Sequence, residues 1–460
     1  MNKKINYLKY LLVFLICFSS LSYNDSFAKP KKKTQSKKSS AKSAKQPSIP
    51  AFSVIKDSLL EDGICYKNVH IRAGRSKHSV HILEVDISKN CLIEVLKANN
   101  HVSDLKQLSE IIDDSNSDLS YFGGVNGSFW RAYTNKPIGP TFIDGEPVEL
   151  KQYKDWSSVF FDSLGRAYFD NFDLSCFIEM NKQRITVERF NQRRDSNSIV
   201  IYNRFSGNQI PFISTNQVDK AINSFNELYA DNQDFNDSTE IEYDLETYIA
   251  EQIELQRANS IEFPLKKISC VYLEKPAINK KVRCLIKGVD TGSVQMPEAG
   301  FILSIGLGHP LNYEQIKAND TIFLHVKSSQ LEEKYFSNGL SATPRLVRNG
   351  RAANEARKEG SRGKRFINHS LPRSAIGASK DNNMIYLVSV EGNNRTKKVV
   401  GATLAQMSNI MAKIGCYNAM NLDGGGSTTM VIDGKNLINN YNPYKSRRIS
   451  VGLAVKKIKK

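Results

Sequence analysis

No apolar run in this 460-residue chain reaches the ~20 residues that a membrane-spanning helix needs. Several catalytic signatures are also missing. There is no phosphate loop ending in Gly-Lys-Ser/Thr, no His-Glu-x-x-His helix and no Gly-x-Ser-x-Gly elbow. Cys-x-x-Cys pairs and His-rich zinc patterns are absent, and the seven histidines are scattered. Acids are absent from residues 29–49, which carry eight lysines. That run, the first 28 residues and the terminal lysines hold 14 of the +17 net charge, leaving +3 for residues 50–455. The body is therefore nearly neutral, and the high isoelectric point does not indicate a nucleic-acid-binding groove.

What is present first is an export pattern. Lys3, Lys4 and Lys9 precede a short apolar core at 11–18, and Ser26-Phe27-Ala28 offers small residues for cleavage. Residues 1–28 read as a signal peptide, which places the protein in the periplasm, the cell envelope or the extracellular space. Residues 29–49 hold almost nothing to bury and read as a disordered Lys-rich linker, a soluble tether or a contact for an anionic envelope surface. Six cysteines follow: Cys65, Cys91, Cys176, Cys270, Cys284 and Cys416. An exported chain permits disulfides, and Cys270 and Cys284 could meet across a hairpin; the other reading makes all six small buried apolar residues.

Residues 50–455 read as one large domain, followed by a basic tail at 456–460. Alternation at 81–87 and 91–96 predicts strands, and 102–112 a helix. Residues 219–262 carry twelve acids against Lys220 and Arg257, with helical spacing at Ile241, Leu245, Tyr248 and Ile249. They read as an acidic helical insertion. Further on, 374–378 and 384–390 read as paired strands. Thr403 is an N-cap, Leu404, Met407, Ile410, Met411 and Ile414 form one helical face, and Gly415 ends it. Asp433-Gly434 marks a hairpin. The expected fold class is α+β, a mixed twisted β-sheet core with flanking helices.

The chemistry-bearing candidates sit beside glycines. Asn421-Leu-Asp-Gly-Gly-Gly-Ser-Thr-Thr429 places a carboxylate before three glycines and hydroxyls after them. This is a build for holding a phosphate or a sugar, or else a tight turn with a solvated Asp423. Asn126 stands polar inside Tyr121-Phe-Gly-Gly-Val-Asn-Gly-Ser-Phe-Trp130, Arg373 heads a strand and Arg447 precedes the last one. An amide, a carboxylate and two guanidiniums suit a phosphorylated sugar. With loop carbonyls, Asp423 could instead hold Ca²⁺.

Six motifs occur in order: Val125-Asn-Gly-Ser-Phe-Trp130, Pro344-Arg-Leu-Val-Arg-Asn-Gly350, Arg373-Ser-Ala-Ile-Gly377, Gly401-Ala-Thr-Leu-Ala405, Asn421-Leu-Asp-Gly-Gly-Gly-Ser427, and Arg447 before Ile449-Ser-Val-Gly-Leu453. Together they resemble the phosphodiester glycosidase family, over about 64–455. The resemblance implies a hydrolase acting on a sugar-1-phosphodiester, with no required cofactor. It points to Asp423, Asn126 and Arg373 as catalytic, and to Gly127, Gly425, Ser427 and Arg447 as substrate-binding. The expected substrate is a glycosyl phosphodiester of an envelope or extracellular sugar-phosphate polymer. A non-catalytic glycopolymer-binding protein and a metal-dependent phosphodiesterase are the alternatives. Two departures stand out: Glu391-Gly-Asn393 where the family often has Asp-Gly-Arg, and Trp130 where it often has Phe.

Overall fold

The computed structural model describes residues 52–207 and 265–458, apart from 74, 117–119, 133, 188, 193–196, 291–293, 307, 310–314 and 439–445. All of them lie in the compact unit Pro50–Lys460. The export segment, the Lys-rich linker and the acidic stretch 219–262 fall outside the described residues.

The α+β expectation is overturned. About half of the described residues are strand and 11% helix, with three α-helices among them: Leu108–Ser115, Lys364–Asn368 and Leu404–Ile414. Four sheets of eight, eight, five and five strands make up the fold. Among the described residues, every strand pairing is antiparallel except that of Arg189–Phe190 with Ile199–Asn203. The physical reason is burial on both faces. In the strand Ser157–Asp162, Val159 and Phe161 enter one core while Phe160 enters another. Successive side chains alternate across a strand, so such a run reads as continuously apolar when sheets rather than helices cover both sides.

Two sheets position the candidate site. Strand Arg373–Ala378 lies in an eight-stranded sheet between Met384–Val390 and Asn418–Asn421. Strand Tyr121–Asn126 lies in a five-stranded sheet between Met430–Ile432 and Val451–Lys457. That last strand absorbs Lys456 and Lys457 from the expected basic tail.

Several local expectations are met. Thr403 Oγ1 accepts from the Gln406 amide at 3.2 Å while Gln406 Oε1 accepts from the Thr403 amide at 2.9 Å, a reciprocal cap. Gly415, at φ 107°, ends that helix. The helix expected at 102–112 forms only from Leu108, with Glu110 capping back onto the Gln107 amide. Upstream, the Lys106 amide bonds to the Ile449 carbonyl instead of continuing a helix. Cys270 and Cys284 do lie on paired strands, but Cys270 faces Ile286 and Cys284 faces Tyr272. All six described cysteines are free thiols, five of them buried.

Candidate active site

Asn126 ends its strand fully buried, and its side chain ties two sheets together. Its Nδ2 donates to the Asp423 carbonyl at 2.7 Å. Its Oδ1 accepts from Ser374 Oγ at 2.6 Å and from the Thr429 amide at 3.1 Å. Next to it, the Gly127 carbonyl accepts from the Asp423 amide at 3.0 Å. Asn126 and Gly127 therefore hold the backbone of Asp423 at both its C=O and its N–H. These bonds give both residues a positioning role.

The Asp423 carboxyl is buried, and Oδ1 accepts from the Gly424 amide at 2.8 Å. Burial raises its pKa to about 6. The Ser427 hydroxyl, the Gly424 amide and Arg447 pull the other way without cancelling that cost. Ser427 Oγ is itself buried and makes no hydrogen bond of good geometry.

The glycine loop has few amides to offer a ligand. Those of Gly425, Ser427 and Thr428 bond to the Pro372, Gly424 and Gly425 carbonyls, and that of Thr429 to Asn126. The glycines serve instead as space. Gly425 adopts φ 60°, and a Cβ on Gly426 would stand 3.2 Å from both Cζ and Nη1 of Arg447. Without a side chain at 426, the half-buried Arg447 guanidinium lies on the loop backbone. Gly426→Ala should push it aside, lowering kcat/KM about 10-fold, the scale of one charged hydrogen bond. The melting temperature should hardly move; steady-state kinetics and a thermal melt check both.

Arg373 is fully buried next to the loop, its Cδ 3.8 Å from where a Gly424 Cβ would stand. Nε donates to the Ala402 carbonyl at 2.9 Å, and Nη2 to those of Phe366 and His369 at 2.6 and 3.3 Å. Burial lowers its pKa to about 9, so it stays charged at neutral pH. Its acceptors are neutral carbonyls. The sequence-predicted residues Asn126, Gly127, Arg373, Asp423, Gly425, Ser427 and Arg447 thus gather around one loop.

The sequence reading missed the supporting residues. Ser374 and Ser389 are polar positions inside otherwise apolar strands, and that was the available signal. Ser374 grips Asn126, and Ser389 Oγ lies 3.5 Å from both Ser374 Oγ and the Thr429 carbonyl. Glu391, the departure noted above, is a buried hub. It accepts from Ser79 Oγ and bonds to His81 Nε2, each at 2.8 Å, and both its oxygens meet Lys397. Burial opposes its ionisation, yet these partners hold its pKa at about 2. Among the described residues no three His, Cys, Asp or Glu side chains converge as metal ligands do.

This is a mostly β scaffold with a buried carboxyl of raised pKa at a glycine loop, the Arg447 guanidinium near it and the Arg373 side chain against Gly424. Residues 293–456 match the phosphodiester glycosidase family. Arg373, Asp423, Gly425, Ser427 and Arg447 fall inside the match, whereas Asn126 lies before it. The chain is 33% identical over 110 residues to an N-acetylglucosamine-1-phosphodiester alpha-N-acetylglucosaminidase of Bos taurus, 22% of this chain and 20% of that protein. It is 38% identical over 76 residues to the prophage-derived protein YomE of Bacillus subtilis, 16% of this chain and 11% of that protein. The matched segments thus span a fifth or less of these curated relatives. A crystal structure of a hypothetical protein from Synechocystis shares the fold, with a TM-score of 0.58 at 18% identity over 88% of this chain and 64% of that one.

Proposed function

We propose that this protein is an exported hydrolase that cleaves a glycosyl phosphodiester of an envelope or extracellular glycopolymer and releases the sugar. The observation that carries the reading is Asp423, a buried carboxyl with a pKa of about 6, beside the Arg447 guanidinium and on the loop that Arg373 flanks. Arg447 meets the phosphate, and the fixed charge of Arg373 adds to the positive field at the loop. Ionised Asp423 takes a proton from water as the water oxygen bonds to the anomeric carbon. The anomeric C–O bond breaks, and its electron pair leaves on the phosphate oxygen. A phosphate monoester is a stable anion, so its departure needs no strong acid. Asn126, Gly127, Gly425 and Ser427 keep the loop and Asp423 in register.

The test is release of free sugar from a panel of glycosyl-phosphate diesters, N-acetylglucosamine diesters among them, by the folded protein. Release that is unaffected by EDTA is the expected result. No free sugar from any member overturns the reading, and activity lost to EDTA and restored by Ca²⁺ favours a metal-dependent phosphodiesterase.

A further inference from the structure

Four segments are linked to the loop that carries Asp423, directly or through Arg373. Two of them, 391–402 and 357–369, supply the Ala402, Phe366 and His369 carbonyls that Arg373 grips. A third, 75–77, is joined to the first because the Val400 amide donates to the Lys77 carbonyl at 3.0 Å. The fourth runs through Arg447, against Gly426, to Arg448.

The charges on these segments are one-sided. Arg357, Arg362, Lys364, Arg395, Lys398 and Arg448 are all exposed. None of the six forms an ion pair among the described residues. Elsewhere on the surface bases commonly face acids, as in Lys67–Glu84, Lys106–Asp114 and Lys281–Glu179. The acids of 357–369 and 391–402 are Glu359 and Glu391, and both are buried. Glu359 is turned inward onto Ser157, Thr343 and the Arg345 amide, and Glu391 onto Ser79, His81 and Lys397. The outward charge of the rim is therefore positive although residues 50–455 carry only +3. Like charges gathered without counter-charges repel one another, which makes such a rim costly unless an anion occupies it.

A single phosphodiester needs only the groups at the loop. Six further cations on flanking segments fit an anion that extends past the cleaved bond. We propose that this rim is a binding surface for a polyanionic chain of successive phosphodiesters, from which the site removes sugar. The inference deepens the proposed function and rests on it for the cleavage step, but not for binding.

Two full-length proteins are compared, both with the eight lysines of 29–49 changed to Gln so that this segment does not contribute. One keeps the rim; the other carries Arg357→Gln, Arg362→Gln, Lys364→Gln, Arg395→Gln, Lys398→Gln and Arg448→Gln. Binding of poly(glycerol phosphate) of about 20 units is measured by calorimetry at several salt concentrations. The rim should bind it with an affinity that falls as salt rises, and the six-fold variant should bind at least about 10-fold more weakly with a shallower salt dependence. Hydrolysis of a small glycosyl-phosphate diester should change less than about 2-fold. Equal affinity of the two proteins overturns the inference, as does tighter binding to a DNA duplex of equal charge. If the six-fold variant melts early, the pair Arg362→Gln/Arg395→Gln replaces it, with a loss of about 3-fold expected and no loss overturning. Binding without sugar release by either protein leaves the surface standing and removes the glycosidase reading.

Discussion

Asp423→Asn should lose activity by roughly 10²–10⁴-fold and at the same time make the protein more stable at pH 7. The two effects share one cause. Asn keeps an oxygen for the Gly424 amide at 2.8 Å and nearly the same volume, so the loop has no reason to move. What disappears is the carboxylate proposed to accept a proton. Burial raises the pKa of Asp423 from 3.8 to about 6. A carboxyl whose folded-state pKa is raised favours folding fully below the unfolded value and loses that contribution as pH rises through about 6. At pH 7 the buried charge therefore costs about 3 kcal/mol, and Asn removes that cost. Denaturant melts of both proteins at pH 4 and pH 7 check the sign: the gain should be present at pH 7 and largely absent at pH 4. In the wild type, kcat/KM should fall as pH drops through about 6, because the ionised form accepts the proton. Equal stability and full activity in Asp423→Asn would remove Asp423 from the chemistry and leave it a structural residue.

Asn126→Ala should be the most destabilising single change at the site, on the order of 3–4 kcal/mol. It strands three buried groups at once: the Asp423 carbonyl, the Ser374 hydroxyl and the Thr429 amide. Each buried group left unpaired costs about 1–3 kcal/mol, and partial relaxation keeps the total below the sum. The three partners sit on the glycine loop and on the strand Arg373–Ala378, so the loss loosens the junction between two sheets. Ser374→Ala, which removes one of those bonds, should cost about 1–2 kcal/mol. Urea midpoints at constant slope check the ranking. A loss of activity in Asn126→Ala with unchanged stability would instead mean that Asn126 meets the substrate directly.

Much of the site was legible because its residues break local pattern. Asn126 is polar within an apolar run, Arg373 opens an apolar strand, and three consecutive glycines follow Asp423. Each is a local cost that a free choice of residues would avoid, so each marks a tertiary demand. The helix at Leu404–Ile414 was legible for the opposite reason: cap, apolar face and terminal glycine agree within one short window. The fold class was misread because periodicity reports which faces are buried and not what covers them. A strand buried on both sides looks the same under helices as under other sheets, and here other sheets cover it.

The sequence alone determined the short-range features: strand alternation, caps, turns, and a carboxylate, an amide and two guanidiniums set beside glycines. Those follow from backbone sterics and local hydrogen bonding, which act over a few residues. Only the tertiary structure decided what those groups do. It brought Asn126 to the peptide of Asp423 from 297 positions away. It buried Asp423 enough to raise its pKa to about 6, and it set the Arg373 guanidinium on backbone carbonyls. Desolvation and partner choice are set by what packs around a group, and in a sheet fold those neighbours come from distant parts of the chain.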